Sequence, residues 1–285
     1  MTPPAPSTGS PEAGFLDIGG IGGIGGIGGA RLEALWLGPP PASAPTLVFL
    51  HEGLGSVSAW RDFPARLAER TGCGALVYSR AGYGKSSPVP LPRPVRFMHD
   101  EAEVLAQVLE QTAIREAILV GHSDGASIAL IYAGSRRAGR SSRLRGLVLE
   151  APHVFAEPSG LASIARMKEI YRTSDLRERL ARHHGANTEI AFRGWNDVWL
   201  HPDFRMWNIE DVLPQIAVPT LILQGEEDEY GTWRQVEAIA RQSGGPVEAV
   251  AILACGHAPH REQPERTLRE MAGFIDKLRG AAPAG

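Results

Sequence analysis

Gly121-His122-Ser123-Asp124-Gly125 decides the reading of this chain, preceded by the apolar run Ala117-Ile118-Leu119-Val120 and followed by Ala126-Ser127-Ile128-Ala129-Leu130. A buried strand runs into a sharp turn, and the turn opens a helix with serine at its apex. The flanking glycines relieve crowding where a strained serine stands clear of a sheet and turns its hydroxyl to a cleft. A serine held in that way is suited to attack on an acyl carbon.

Its hydroxyl needs a base to take the proton, and the base needs a carboxylate to hold its tautomer and stabilise the imidazolium. Both occur downstream. The run Val218 to Gln224 reads as a buried strand, and Gly225-Glu226-Glu227-Asp228 follow at its carboxyl end. Asp228 is the expected acid by position, although Glu226, Glu227 and Glu229 crowd the same turn and Glu150 ends another strand. A short strand from Ala249 to Leu253 leads into Ala254-Cys255-Gly256-His257, with a helix beginning near Gln263 and Pro264. His257 is the expected base; His260, three residues on, lacks the preceding glycine.

Taken together, these segments resemble the α/β-hydrolase superfamily from about Phe15 to the last helix. The order serine, acid, histidine on successive strand ends is that family's. Its Gly-x-x-Asp maps to Gly225 and Asp228, and its Gly-His with a following Glu-x-Pro maps to Gly256, His257, Glu262 and Pro264. The resemblance implies an α/β fold: a mostly parallel twisted sheet, helices on both faces, and a helical cap inserted before the penultimate strands.

A tetrahedral intermediate requires two N–H groups around its oxyanion, one directly after the nucleophile. Asp124 supplies that one. By resemblance, Gly53 supplies the other, from the loop His51-Glu52-Gly53-Leu54-Gly55-Ser56. The family usually has His-Gly at the first two of these positions, so Glu52 is a departure; it either ties the loop down through a salt bridge or points into the cleft to read a polar substrate group. Many relatives also place an apolar or amide side chain after the nucleophile. Asp124 either complements the dipole of the helix it opens or adds negative charge beside Ser123.

The 285 residues, 43% hydrophobic, suffice for one α/β core with an insertion. A net charge of -3 gives no reason to expect nucleic acid or an anionic membrane surface as partner. No apolar stretch reaches transmembrane length. Residues 1–14 have neither a basic nor an apolar signal region and read as a disordered tail. Cys73 and Cys255 make no disulfide framework, which favours a reducing cytoplasm. Cys255 reads as a small buried residue. None of the remaining histidines has the pair spacing of a zinc helix, so no metal is expected, and the expected chemistry needs no cofactor. Ile18 to Gly29 repeats Ile-Gly-Gly in tandem, an expansion of the turn between strands Phe15–Ile18 and Arg31–Leu37. No amphipathic helix follows those glycines, so a phosphate-binding turn is disfavoured.

Further strands are expected at Thr46–Leu50, Ala75–Ser79, Ala117–Val120, Leu144–Leu149 and Thr220–Gln224, with helices at Trp60–Arg70, Met98–Gln111 and Arg234–Gln242. Alternation of that kind gives right-handed crossovers and gathers the site at the strands' carboxyl ends. Core segments are thus 15–152 and 218–280. Ser79 to Ser86 reads as a structural loop, with Arg80 a cation in its network. About seventy residues lie between Leu149 and Val218, too many for an ordinary crossover, and 153–217 is the expected cap. It holds Phe192, Trp195, Trp199, Phe204 and Trp207, as cap core or, for Trp195, Trp199 and Trp207 with Glu52, as substrate pocket. The resemblance implies a serine hydrolase acting on an ester or lactone of a small, partly apolar molecule. A C–C bond hydrolase of ring-cleavage products, a thioesterase or a binding protein on the same fold are the alternatives. The His51 to Ser56 loop with the acidic turn resembles bacterial hydrolases of aromatic-acid degradation, and apolar residues on the cap are compatible with a homodimer.

Overall fold

The computed structural model describes residues 12–19, 29–135 and 143–280. Eight strands form one sheet: β1 (Glu12–Ile18), β2 (Ala30–Leu37), β3 (Thr46–Leu50), β4 (Gly74–Tyr78), β5 (Ala117–His122), β6 (Leu144–Glu150), β7 (Thr220–Gly225) and β8 (Val247–Ile252). Their order is β1-β2-β4-β3-β5-β6-β7-β8. The first hairpin joins antiparallel, with Phe15 opposite Glu33, and every pairing from β4 to β8 is parallel. The expected hairpin is therefore present, and its first strand begins at Glu12, inside the range read as tail. Residues 1–11 of that tail and residues 20–28 of the Ile-Gly-Gly repeat lie outside the described residues.

Strands β3, β4 and β5 are buried along their whole length, as expected where both sheet faces are covered. Period-two alternation still sorts their side chains. Leu47 and Phe49 face α1 (Phe63–Thr71) and the C-terminal helix α9 (Pro264–Gly280), while Val48 and Leu50 face the other layer. That second layer comprises α2 (Phe97–Gln111), α3 (Asp124–Ala133) and α7 (Trp233–Gln242). All ten residues of α3 are buried, and its sequence is accordingly apolar around its circumference. At the far edge β8 is largely exposed. The helix expected from Trp60 instead splits: a 3-10 turn at Ser58–Trp60 precedes α1, with Arg61 at φ 55° and Pro64 in the first turn.

Between β6 and β7 the chain makes a helical insertion of α4 (Pro158–Thr173), α5 (Leu176–His184) and α6 (Thr188–Trp199), followed by 3-10 turns at Pro202–Met206 and Glu210–Gln215. It is fastened to the sheet's rim by buried polar side chains. His184 donates Nε2–H to Leu54 O (2.9 Å) and accepts Gly84 N–H at Nδ1 (3.1 Å). Asn187 donates to Gly84 O and Ser86 O. At the other end Gln235 of α7 accepts Val154 N–H and donates to Phe155 O and Glu157. These bonds satisfy groups whose burial alone would cost free energy.

Candidate active site

Ser123 sits at φ 52°, ψ -118°, the left-handed side that non-glycine residues rarely occupy. The turn survives because its surroundings over-determine it. Ser123 N–H bonds Glu150 O (2.9 Å) on the neighbouring strand end, and Ala126 and Ser127 N–H groups bond Ser123 O. Both flanking glycines are steric necessities: a Cβ on Gly121 would lie 2.6 Å from Ala126 Cα, and one on Gly125 would lie 2.0 Å from Leu50 O.

Asp228 and His257, the expected acid and base, follow the ends of β7 and β8. His257 Nδ1 is 2.9 Å from each oxygen of Asp228. Asp228 also accepts the N–H groups of Tyr230 (2.8 Å) and Gly231 (3.3 Å) and the amide of Gln224 (2.7 Å). Burial works to raise its pKa, but the charge and hydrogen bond of His257 and the Tyr230 N–H outweigh it and draw it down to about 2. The two loops pass so closely that a Cβ on Gly225 would lie 2.0 Å from Gly256 O. With Nδ1 turned to Asp228, Nε2 is the ring nitrogen left to accept a proton in the Nδ1–H tautomer. Ser123 and His257 line one cavity of about 320 Å³.

His260, the competing histidine, is instead buried with Nδ1 2.7 Å from Glu150 Oε2. That pairing also removes Glu150 from the list of candidate acids. His122, directly before the serine, donates Nε2–H to His257 O (2.7 Å) and presents Nδ1 to Glu52 Oε2 at 3.8 Å.

Gly53 lines the same cavity as Ser123, next to Glu52. The loop's shape is held by Arg80, which is 1% exposed. It donates Nη1–H to His51 O (2.9 Å) and Nη2–H to Glu52 O (3.1 Å), and its own N–H bonds His51 Nε2. His51 Nδ1–H in turn bonds Glu52 O. Arg80 is thus the network cation expected from sequence. Trp195 of α6 packs so tightly on Gly53 that a Cβ there would lie 2.0 Å from its indole.

Glu52 makes the ion pairs considered for it and also faces the cavity. It lines the cavity, and its carboxylate lies 3.7 Å from Arg261 and 3.8 Å from His122. Burial would raise its pKa, but His122 and Arg261 hold it well below the usual carboxylate value. Asp124 opens α3 as expected, yet it is fully buried: Oδ1 accepts Trp199 Nε1–H (3.1 Å) and Oδ2 is 3.9 Å from Arg80. Burial pushes its pKa up, with the charge of Arg80 and the Trp199 N–H opposing, and its side chain is not among those lining the cavity.

Of the three tryptophans expected in a pocket, Trp195 and Trp199 line the cavity. Trp207 is not among its lining residues; it stacks on Phe204 (5.2 Å, 10°) inside the insertion's core. Sequence reasoning passed over His153 and Tyr230, whose rings lie 5.7 and 4.7 Å from that of His257, and over Arg179, His183 and Arg261 at the cavity's edge. None of these stands in a motif. Cys73 and Cys255 are buried and unpaired. Among the described residues no cluster of three or more His, Cys, Asp or Glu could hold a metal, and no helix is long and apolar enough to cross a membrane.

A strained serine on a strand-to-helix turn, in an eight-stranded sheet of this order, defines a class, and the sequence profile of the alpha/beta hydrolase family matches residues 47–270. The chain belongs to that family. Over 268 residues it is 26% identical to a 2-succinyl-6-hydroxy-2,4-cyclohexadiene-1-carboxylate synthase of Salmonella paratyphi C, covering 84% of this chain and 94% of the relative. Among solved structures, a thermophilic esterase from Thermogutta terrifontis superposes with a TM-score of 0.70 at 20% identity, covering 93% of this chain and 99% of that one. A 2-hydroxy-6-oxo-6-phenylhexa-2,4-dienoate hydrolase from a Rhodococcus strain does so with a TM-score of 0.69 at 17% identity, covering 95% and 100%.

Proposed function

We propose that the chain is a serine hydrolase cleaving an ester or lactone of a small, partly apolar molecule through an acyl-enzyme. The observation that carries this reading is Ser123 on its strained turn, in one cavity with a His257 whose Nδ1 is held by Asp228. Ser123 Oγ attacks the acyl carbon while His257 Nε2 takes its proton. Asp228 stabilises the imidazolium, and the N–H groups of Gly53 and Asp124 bind the oxyanion. His257 then returns the proton to the leaving oxygen. In the second half it removes a proton from water, which attacks the acyl carbon, and restores it to Ser123 as the acid departs.

The helical insertion acts as a cap in this reading, since Trp195, Trp199 and Leu180 supply the cavity's apolar walls. A reducing, cytoplasmic setting belongs to the proposal and is supported by the two free, buried cysteines. Hydrolysis of a C–C bond in a ring-cleavage product is the second reading, supported by the likeness to the Rhodococcus dienoate hydrolase.

The test is turnover of short-chain aryl esters, thioesters, lactones and a ring-cleavage dienoate, with labelling by a fluorophosphonate in parallel. Wild type is expected to label and to turn over at least the aryl esters; Ser123→Ala is expected to lose labelling and at least about a thousandfold in kcat. A wild-type protein that neither labels nor turns over any of them overturns the reading.

A further inference from the structure

The cavity is not evenly apolar. Arg179 and His183 of α5 and Arg261 of the one-turn helix α8 (Pro259–Glu262) line one side of it. The pKa of His183 is lowered first by burial, then by the charges of Arg261, Arg61 and Arg182, with Glu52 opposing. Two guanidiniums from separated stretches of chain therefore line the cavity with His183, and the charges of Arg61 and Arg182 are near enough to act on that imidazole.

Their counter-charges are weak or already engaged. Arg179 has Asp175 at 3.2 Å, but this is an i,i+4 pair with side chains 53% and 67% exposed, a kind that holds little energy in water. Glu52 is the only carboxylate among the lining residues, and it is shared between Arg261 and His122. Asp228 is buried behind His257 and committed to it. Guanidiniums brought together at the mouth of a low-dielectric cleft raise a positive potential there, and a carboxylate matches their fork of donors.

We propose that the substrate carries a carboxylate at the end remote from the bond that is cleaved, received by Arg179 and Arg261 with His183 beside them. The assignment rests on the hydrolase reading only for which end of the ligand reaches Ser123. The same cavity is lined by the indoles of Trp195 and Trp199 and the side chains of Leu176 and Leu180, an apolar surface for a short spacer. The ligand class is thus an ω-carboxy acyl compound with a small aliphatic or ring spacer.

Two parallel measurements on the full-length protein test it. The first compares para-nitrophenyl hydrogen adipate with para-nitrophenyl hexanoate, its neutral counterpart. The acid ester is expected to be preferred about tenfold or more in kcat/KM at low salt, as one charge-assisted hydrogen bond suggests. That preference should shrink as salt screens the edge and collapse, through KM, in Arg179→Gln and Arg261→Gln. The second titrates adipate against its neutral diamide by calorimetry, which needs no turnover; adipate is expected to bind the more tightly. Turnover of the hexanoate with no preference for either acid overturns the carboxylate site and leaves the hydrolase standing. Tighter adipate binding with no turnover of either ester does the reverse. A preference that persists in both arginine variants, or no binding and no turnover at all, also overturns the assignment.

Discussion

Two carboxylates that depart from the family's usual residues turn out to be wired into the site's frame. Glu52 precedes the Gly53 N–H and faces the histidine that precedes Ser123, so one contact ties the His51–Ser56 loop to the turn that carries Ser123. Burial alone would lower the pKa of His122, but Glu52 and Glu150 raise it. Its imidazolium should persist above the ordinary histidine value in an NMR titration, and Glu52→Gln should shift that titration downward; an unchanged His122 pKa would show that the pair is idle. Asp124 has a different task, accepting the indole N–H of Trp199 in a dry setting. Asp124→Asn keeps an acceptor and is expected to stay within about 1 kcal/mol of wild type, whereas Asp124→Ala leaves the indole unpaired and should cost about 2 kcal/mol in urea melts. Equal losses in both variants would mean that the charge opposite Arg80, not the acceptor, is what matters.

At the level of elements, the decisive contact is the crossing of α3 over β3. Gly125 has no room for a methyl group because Leu50 O occupies that place, and a backbone oxygen cannot swing aside as a side chain can. Gly125→Ala is therefore expected to lower the urea midpoint by the equivalent of about 1–3 kcal/mol and to cut activity by displacing Ser123; a variant as stable and active as wild type would contradict the crossing as described. The strands and the crossing helices were legible in the sequence because each is a continuous apolar run or a 3.6-residue pattern with turn residues at its ends. Ser123, Asp228 and His257 could be singled out because each follows a strand end in a short turn that carries a glycine. What lay hidden depends on contacts between distant segments. Nothing local distinguishes Trp207, stacked on Phe204, from Trp199, which reaches the cavity. Likewise His184 and Asn187, which fasten the insertion to loops 103 to 130 positions earlier in the chain, carry no motif. The split before α1 was missed because Trp60 continues the apolar pattern, while its backbone is diverted by the positive φ of Arg61.

For the molecule as a whole, the site puts a buried imidazole in a place that acid will attack. His153 is 4% exposed, and burial together with the charge of His257 lowers its pKa to about 4. The unfolded chain binds this proton first, near the ordinary value of about 6.5, so folding stability is whole above that pH and falls as pH drops toward 4. The loss from this one group approaches about 3 kcal/mol. Asp228, with its pKa drawn down to about 2, adds a second loss below about pH 4. Denaturation midpoints taken from pH 7 to 4 should fall in wild type and fall less in His153→Gln; parallel curves would remove His153 as the cause. The order of the strands has a last consequence, for the protein during its own synthesis. Ser123 leaves the ribosome well ahead of Asp228 and His257, and its turn is anchored to β6, whereas the carboxylate and imidazole arrive only with β7 and β8. A nascent chain that has just completed β6 holds a serine with neither a proton acceptor nor the outer wall of its cleft. Under the proposed mechanism, a chain halted at that point would carry the serine without either of its partners.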